Sequence, residues 1–224
     1  MAIEKGSISI HTENIFPIIK KWLYSEKDIF LREIVSNASD AITKRRKLGV
    51  MGEDKLPEDF KGRIDVTVSK KDGTITISDN GLGMTADEVR QYINQIAFSG
   101  AQDFLEKYKD KTDDQQIIGH FGLGFYSSFM VSTSVRIETL SFQPGSEAVS
   151  WESTGDTEYE MGSSKRKMVG TSVTLNLSED SKEFLDSFKT REVLKKYFAF
   201  LQYEIFFVDA DEKPLTKKET KKAE

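Results

Sequence analysis

Residues 31–46, LREIVSNASDAITKRR, constrain the fold more than any other stretch of the chain. Drawn at 100° per residue they form a helix with two opposed stripes. Leu31, Ile34, Val35, Ala38 and Ile42 make an apolar side that has to be covered by another layer. Glu33, Asn37, Asp40 and Lys44 fall within about 60° of one another on the other side. That polar stripe has two readings. One is a solvated face with a Glu33–Asn37 hydrogen bond and an Asp40–Lys44 ion pair. The other is chemical: an amide oxygen suits Mg²⁺ beside phosphates, and a carboxylate one turn away can polarise a water. Ser25 is the expected cap of this helix, which spans about 26–48 and ends at Gly49.

The covering layer is expected to be a sheet. Arg63–Ser69 and Thr74–Ser78 are β-rich runs flanking KDG, a hairpin signal. Further strand patterns lie at 132–141, 147–153, 171–177 and 204–208, with a short one at 7–11. Helices are expected from Thr12 through Leu23, from Thr85 to about Gln95, at 101–109 and near 190–202. The aromatic run Tyr197, Phe198, Phe200, Tyr203, Phe206 and Phe207 reads as core, and Lys165, Arg166 and Lys167 as a solvated turn. Helices alternating with hairpin-joined strands predict an α+β, two-layer sandwich, its mixed and mostly antiparallel sheet covered on one face by helices.

Two glycine-rich breaks punctuate this plan. In ITISDNGLGMT a strand ends in Asp79 and runs into Gly81 and Gly83. Such glycines let the backbone approach a ligand, and a strand-end carboxylate can accept from an amino group, although an Asn-Gly turn alone would also explain them. In IIGHFGLGFYSSFMV, Gly119, Gly122 and Gly124 precede an apolar helix starting near Gly124. Backbone N–H groups there could receive phosphate, and glycine equally serves packing or hinges. Neither break is GxxxxGK[ST] or GxGxxG. His120 sits inside the second, with no GxSxG or HExxH partner motif to make it catalytic.

Composition removes other classes. There is no cysteine and there are only two histidines, so thiolate and histidine metal cages are excluded as expectations. With 32 Lys+Arg against 37 Asp+Glu, no basic field would draw the molecule to nucleic acid or an anionic membrane. No apolar run approaches the ~20 residues of a membrane span, and the amino terminus lacks a signal-peptide core, so a cytoplasmic location is the default.

In this order, the three constellations and the later Gly170-Thr171 resemble the ATP-binding fold of gyrase, heat-shock chaperones, histidine kinases and MutL. SEKDIFLREIVSNASDA, DNGLGM, IAFSG, GHFGLGFYSSFMV and WES resemble more closely the N-terminal domain of the ninety-kilodalton heat-shock chaperones, including the bacterial HtpG type, across roughly residues 10–210. The resemblance implies an ATP-binding domain at 1–210 with a lid at about 98–125, followed by a charged linker or tail at 211–224. It implies an ATPase module of a chaperone that assists protein folding, taking ATP/ADP and Mg²⁺, serving client proteins, and forming a homodimer through a C-terminal domain of a longer protein.

Residue by residue, it makes Glu33 the general base and Asn37 the Mg²⁺ ligand. Asp79 would accept from the adenine amino group, supported by Thr171 through water, with Gly83 and Met84 beside Asp40 and Ala41 in the base pocket. Gly119, Gly122, Gly124 and Phe125 would hold the phosphates, and Ser99-Gly100 would form a lid hinge. The chain departs from the family pattern at Phe98, where Lys is common, at Tyr92, Asn94 and Gln95 for Asn, Gly and Thr, and at His120 for Gln. These departures keep open a regulatory module that binds nucleotide with little turnover. A histidine kinase core, the third reading, would need a phosphoacceptor helix, and nothing before residue 26 offers a histidine on a dimerising helix.

Overall fold

The computed structural model describes residues 26–94, 124–155 and 158–212. The expected strand at 7–11, the helix from Thr12, the Ser25 cap, the helix at 101–109 and the tail lie outside the described residues. Helix α1, Ile29–Val50, runs along the inner face of a seven-stranded sheet. Its apolar stripe is buried throughout, and Ser36, Ser39, Asp40 and Thr43 are buried as well. The helix is therefore enclosed on more than its apolar side.

Both ends of α1 differ from the sequence expectation. Its N-cap is Asp28, whose carboxylate caps nothing and accepts from Lys196 Nζ at 3.0 Å and Tyr197 Oη at 3.1 Å. At the other end Gly49 is still helical. Gly52, at φ 77°, is the terminator: its N–H donates to the Gly49 carbonyl at 3.1 Å and the Glu53 N–H to Leu48 at 2.9 Å. This is the paired 5→2 and 6→1 closure that a left-handed residue makes possible. Gly49 serves packing, because a Cβ there would overlap Leu56.

The sheet comprises β1 (Arg63–Ser69), β2 (Thr74–Asp79), β3 (Ser132–Leu140), β4 (Val149–Ser153), β5 (Glu160–Ser163), β6 (Gly170–Leu177) and β7 (Glu204–Asp209). Their order is β5-β4-β3-β6-β2-β1-β7, with every pairing antiparallel except β1 with β7. Ile64, Val66, Val68, Ile75, Ile77, Val135, Ile137, Trp151, Leu175 and Leu177 line the inner face and share one buried core with α1. The outer face is polar: Thr76 meets Thr174 at 3.0 Å and Ser78 meets Ser172 at 2.8 Å, hydroxyl pairs across the strands. Strand β5, EMGS, carries no alternation to read and lies at a sheet edge.

The remaining elements are short. Thr85 caps α2, Ala86–Tyr92, in a reciprocal capping box with Glu88. Gly124–Met130 is a 3₁₀ helix, where an apolar helix was expected. Ser127 and Ser128 donate to the carbonyls of Gly124 and Phe125, three residues back, at 2.5 and 2.6 Å, which favours the tighter winding. A second 3₁₀ segment, Glu179–Leu185, leads into α3, Ser187–Phe198, capped by Asp186. The aromatic run is core only in part. Tyr203 is buried and Tyr197, Phe198 and Phe207 pack against the core, whereas Phe200 is fully exposed and Phe206 lies open beneath Arg63 at 3.9 Å.

Arg45 of α1 and Asp54 form an ion pair at 2.9 Å with side chains only 11% and 9% exposed. Removing one partner strands the other charge where water scarcely reaches. Arg45→Ala is expected to lose about 3–5 kcal/mol in urea unfolding, and the double replacement Arg45→Met with Asp54→Leu to recover most of it.

Candidate functional site

The end of β2 is pressed onto the middle of α1. Gly81 makes this possible, because a Cβ there would lie 2.6 Å from Ala41 Cβ and 2.8 Å from Ile42 N. The next N–H, of Leu82, donates to the Ala41 carbonyl at 3.2 Å. Arg45, one turn further along α1, donates to the carbonyl of Asn80 at 2.9 Å and reaches that of Gly81 at 3.4 Å. Asn80 holds the other flank, accepting from the Arg63 N–H at 2.8 Å and donating to the Lys61 carbonyl at 2.7 Å. The Asn-Gly turn and the close backbone approach are thus both present.

Strands β3 and β6 wall the other side. Gly83, at φ 64°, abuts the Leu140 carbonyl, and Gly170, at φ 125°, abuts the Asp79 carbonyl, so a side chain at either would clash as well as strain the backbone. Buried Thr139 ties the walls together: its Oγ1 accepts from the Met84 N–H at 2.9 Å and lies 3.0 Å from Thr171 Oγ1. Across the sheet Val173 faces the same way as Ile77 and Ile137, yet those two are buried and Val173 is half-buried. Val173 is thus less covered than its neighbours on the inner face while still packing against the core, and Met84 and Ala41 are half-buried as well.

Asp79, at the end of β2, is 9% exposed. Its Oδ1 accepts from the Gly81 N–H at 2.8 Å and the Thr171 N–H at 3.3 Å. No donor among the described residues reaches Oδ2, which is not sealed from solvent. Burial raises the carboxyl to about 6, against the opposing pull of the Gly81 N–H, Arg166, the Thr171 N–H and Arg45. The result is an acceptor oriented on one oxygen and open on the other. Thr171 touches Asp79 directly, through its backbone N–H.

A second group of polar residues lies two turns back along α1. Glu33 is held by Arg32, whose Nε and Nη2 donate to Oε1 at 3.0 and 2.6 Å. Glu33 Oε2 lies against Gly124, where a Cβ would overlap it. Asn37, one turn on, is exposed, and Asp40 is buried. The Phe125 ring is buried edge-on against Tyr126, Phe129 and Trp151 at 5.6–6.0 Å. Only its backbone remains for a ligand.

The structure brings Gly124 to Glu33, the turn after Asp79 to Ala41, and Met84 and Thr171 to Thr139, with Thr171 also on Asp79; Asn37 and Asp40 lie between Glu33 and Ala41 along α1. Ser99, Gly100, Gly119, Gly122, His120 and Phe98, and all of the expected lid except Gly124 and Phe125, lie outside the described residues. Three residues of the site were missed in the sequence. Thr139 is one strand residue among many, and Arg45 sits in a basic run. Arg166 was assigned to a solvated turn, but it is half-buried and donates to the Asp79 carbonyl at 2.9 Å. Lys165 and Lys167 on either side are exposed as expected.

The family described as histidine kinase-, DNA gyrase B-, and HSP90-like ATPase matches residues 24–188. A chaperone protein HtpG of Bacteroides fragilis is 51% identical over 208 residues, covering 92% of this chain and 29% of its own length. That of Porphyromonas gingivalis is 49% identical over 209 residues, covering 91% and 29%. That of Fusobacterium nucleatum is 40% identical over 228 residues, covering 99% and 37%. The chain spans about a third of the length of these relatives or less.

A carboxyl raised by burial makes the folded state bind a proton more tightly than the unfolded state between about pH 4 and 6. Its ionisation penalty is fully present above that window and relieved below it. Asp79→Asn keeps an oxygen for both backbone donors. In urea titrations the variant should be more stable than the parent at pH 7.5, by on the order of 2 kcal/mol. The difference should fade as the pH is lowered to 4.

Proposed function

Because the chain belongs to the histidine kinase-, DNA gyrase B-, and HSP90-like ATPase family, we propose that the site on α1 binds ATP between Asp79 and Glu33 and hydrolyses it as the nucleotide module of a cytoplasmic, HtpG-like chaperone. The observation that carries this reading is the Asp79 carboxylate. Two backbone N–H groups fix Oδ1, and the open Oδ2 is an acceptor for one amino group of a flat heterocycle. Half-buried Met84 and Val173, with Ala41, offer apolar faces to such a ring. The adenine end of ATP has this chemistry.

The triphosphate then lies toward Glu33, Asn37 and the backbone at Gly124 and Phe125. Arg32 occupies Glu33 Oε1, which leaves Oε2, beside Gly124, to accept a proton from the attacking water. Asn37, exposed and one turn from Glu33, fits a Mg²⁺ ligand, since that ion keeps several waters and takes few protein atoms. When bound, Mg²⁺ would neutralise charge on the phosphate oxygens. Client binding and dimerisation belong, in this proposal, to the remainder of a longer protein, as the relatives' length suggests.

Asp79→Asn replaces the open acceptor with a donor while leaving the fold intact. Calorimetric titration with ADP should show affinity reduced by at least about tenfold, the worth of one charge-assisted hydrogen bond; unchanged affinity would sink the adenine assignment. Glu33→Ala should keep ADP binding and slow phosphate release by about 10²–10⁴-fold. Asn37→Ala should weaken binding only when Mg²⁺ is present, and equal losses in the two variants would overturn the division of roles.

A further inference from the structure

The carbonyls of Asp79, Asn80 and Gly81 are held by two guanidinium groups that come from different parts of the fold. Arg45 reaches Asn80 and Gly81 from α1. Arg166 arrives over the outer face of the sheet, from the segment between β5 and β6. Its Nη2 donates to the Asp79 carbonyl at 2.9 Å, its Nη1 to Ser172 Oγ at 2.5 Å, and its Nε to the Met168 carbonyl at 2.9 Å. Nη1 also lies 3.5 Å from Ser78 Oγ. The guanidinium thereby spans β2 and β6 where Asp79 and Thr171 must stay in register for the Thr171 N–H to reach Oδ1.

We propose that Arg166 is a positioning residue for nucleotide binding: from the face opposite the ligand it ties the Asp79 carbonyl to Ser172 and Met168, and so holds Asp79 where its carboxylate meets the Thr171 N–H. The inference rests on the reading of Asp79 as the adenine acceptor. With two N–H donors on Oδ1, a proton taken up by Asp79 goes to Oδ2, the oxygen the ligand's amino group needs. Binding therefore requires the ionised form. The charges acting on that carboxyl are Arg166 and, from α1, Arg45. From β3, Glu138, paired with Arg136 at 3.5 Å, faces Arg166 in turn. Arg45 is committed to Asp54 and to the fold, so Arg166 is the partner whose removal isolates the effect.

The test is calorimetric titration of the 224-residue chain with ADP from pH 5.5 to 8.5, using the parent, Arg166→Met, Arg166→Gln, Arg166→Lys and Asp79→Asn. The ligand's own titration is common to all five and cancels in the comparison. Removing the charge should move the pH at which affinity is lost upward by about one pH unit in both Arg166→Met and Arg166→Gln. Affinity at pH 8.5 should also fall, by about threefold to tenfold, because the Asp79 carbonyl has lost its tie, and Arg166→Lys should restore most of the pH shift. Asp79→Asn should bind weakly at every pH. A parent-like profile in Arg166→Gln, or a loss equal at every pH, would overturn the role of Arg166 while leaving Asp79 as acceptor. Full ADP affinity in Asp79→Asn, or none in the parent, would instead overturn the adenine reading and this inference with it.

Discussion

The contact between Gly81 and Ala41 is the constraint on which the rest of the site depends. It brings a strand end within backbone distance of a helix, which is possible only because one residue has no side chain and the other has a methyl group. Once that contact is made, the Leu82 N–H finds the Ala41 carbonyl, Arg45 finds two carbonyls of the turn, and Asp79 is drawn below the surface. Burial alone would expel the charge of Asp79. The two N–H donors and two arginines oppose that tendency, leaving a carboxyl poised between its forms near neutral pH.

Much of this was legible in the chain because it follows from local rules. The period of α1, the KDG hairpin and the Asp-Asn-Gly turn each announce themselves within a dozen residues. β1 was read to the residue, and β2 and β3 to within one. The polar stripe of Glu33, Asn37 and Asp40 was visible as a stripe, and its neighbourhood could be inferred only through the resemblance to a family.

What escaped was non-local or counter to type. Gly49 was read as the helix stop because it is the first glycine after the apolar stripe; the closure made by Gly52 needs a left-handed backbone that Gly49 does not adopt. Arg166 lies between two exposed lysines, and nothing in KRK tells that the middle residue turns back over the sheet. Thr139 gains its role from two strands and a loop that meet only in the folded molecule. Phe125 belongs to a glycine-rich segment by sequence and to an aromatic cluster by packing, and the packing decides where its ring goes.

The one parallel pair among the described residues, β1 with β7, has a mechanical consequence. Its register runs from Arg63 opposite Glu204 to Val68 opposite Asp209, and the Ala210 N–H continues it by donating to Val68 at 2.8 Å. A pull applied where the chain leaves β7 acts along this seam, so its hydrogen bonds share the load in shear and do not peel apart one by one. Beyond the seam β1 passes the force to β2 through a full antiparallel register, and β2 ends at Asp79. The strand that ends at Asp209 is thus joined to the one that ends at Asp79 by two continuous registers.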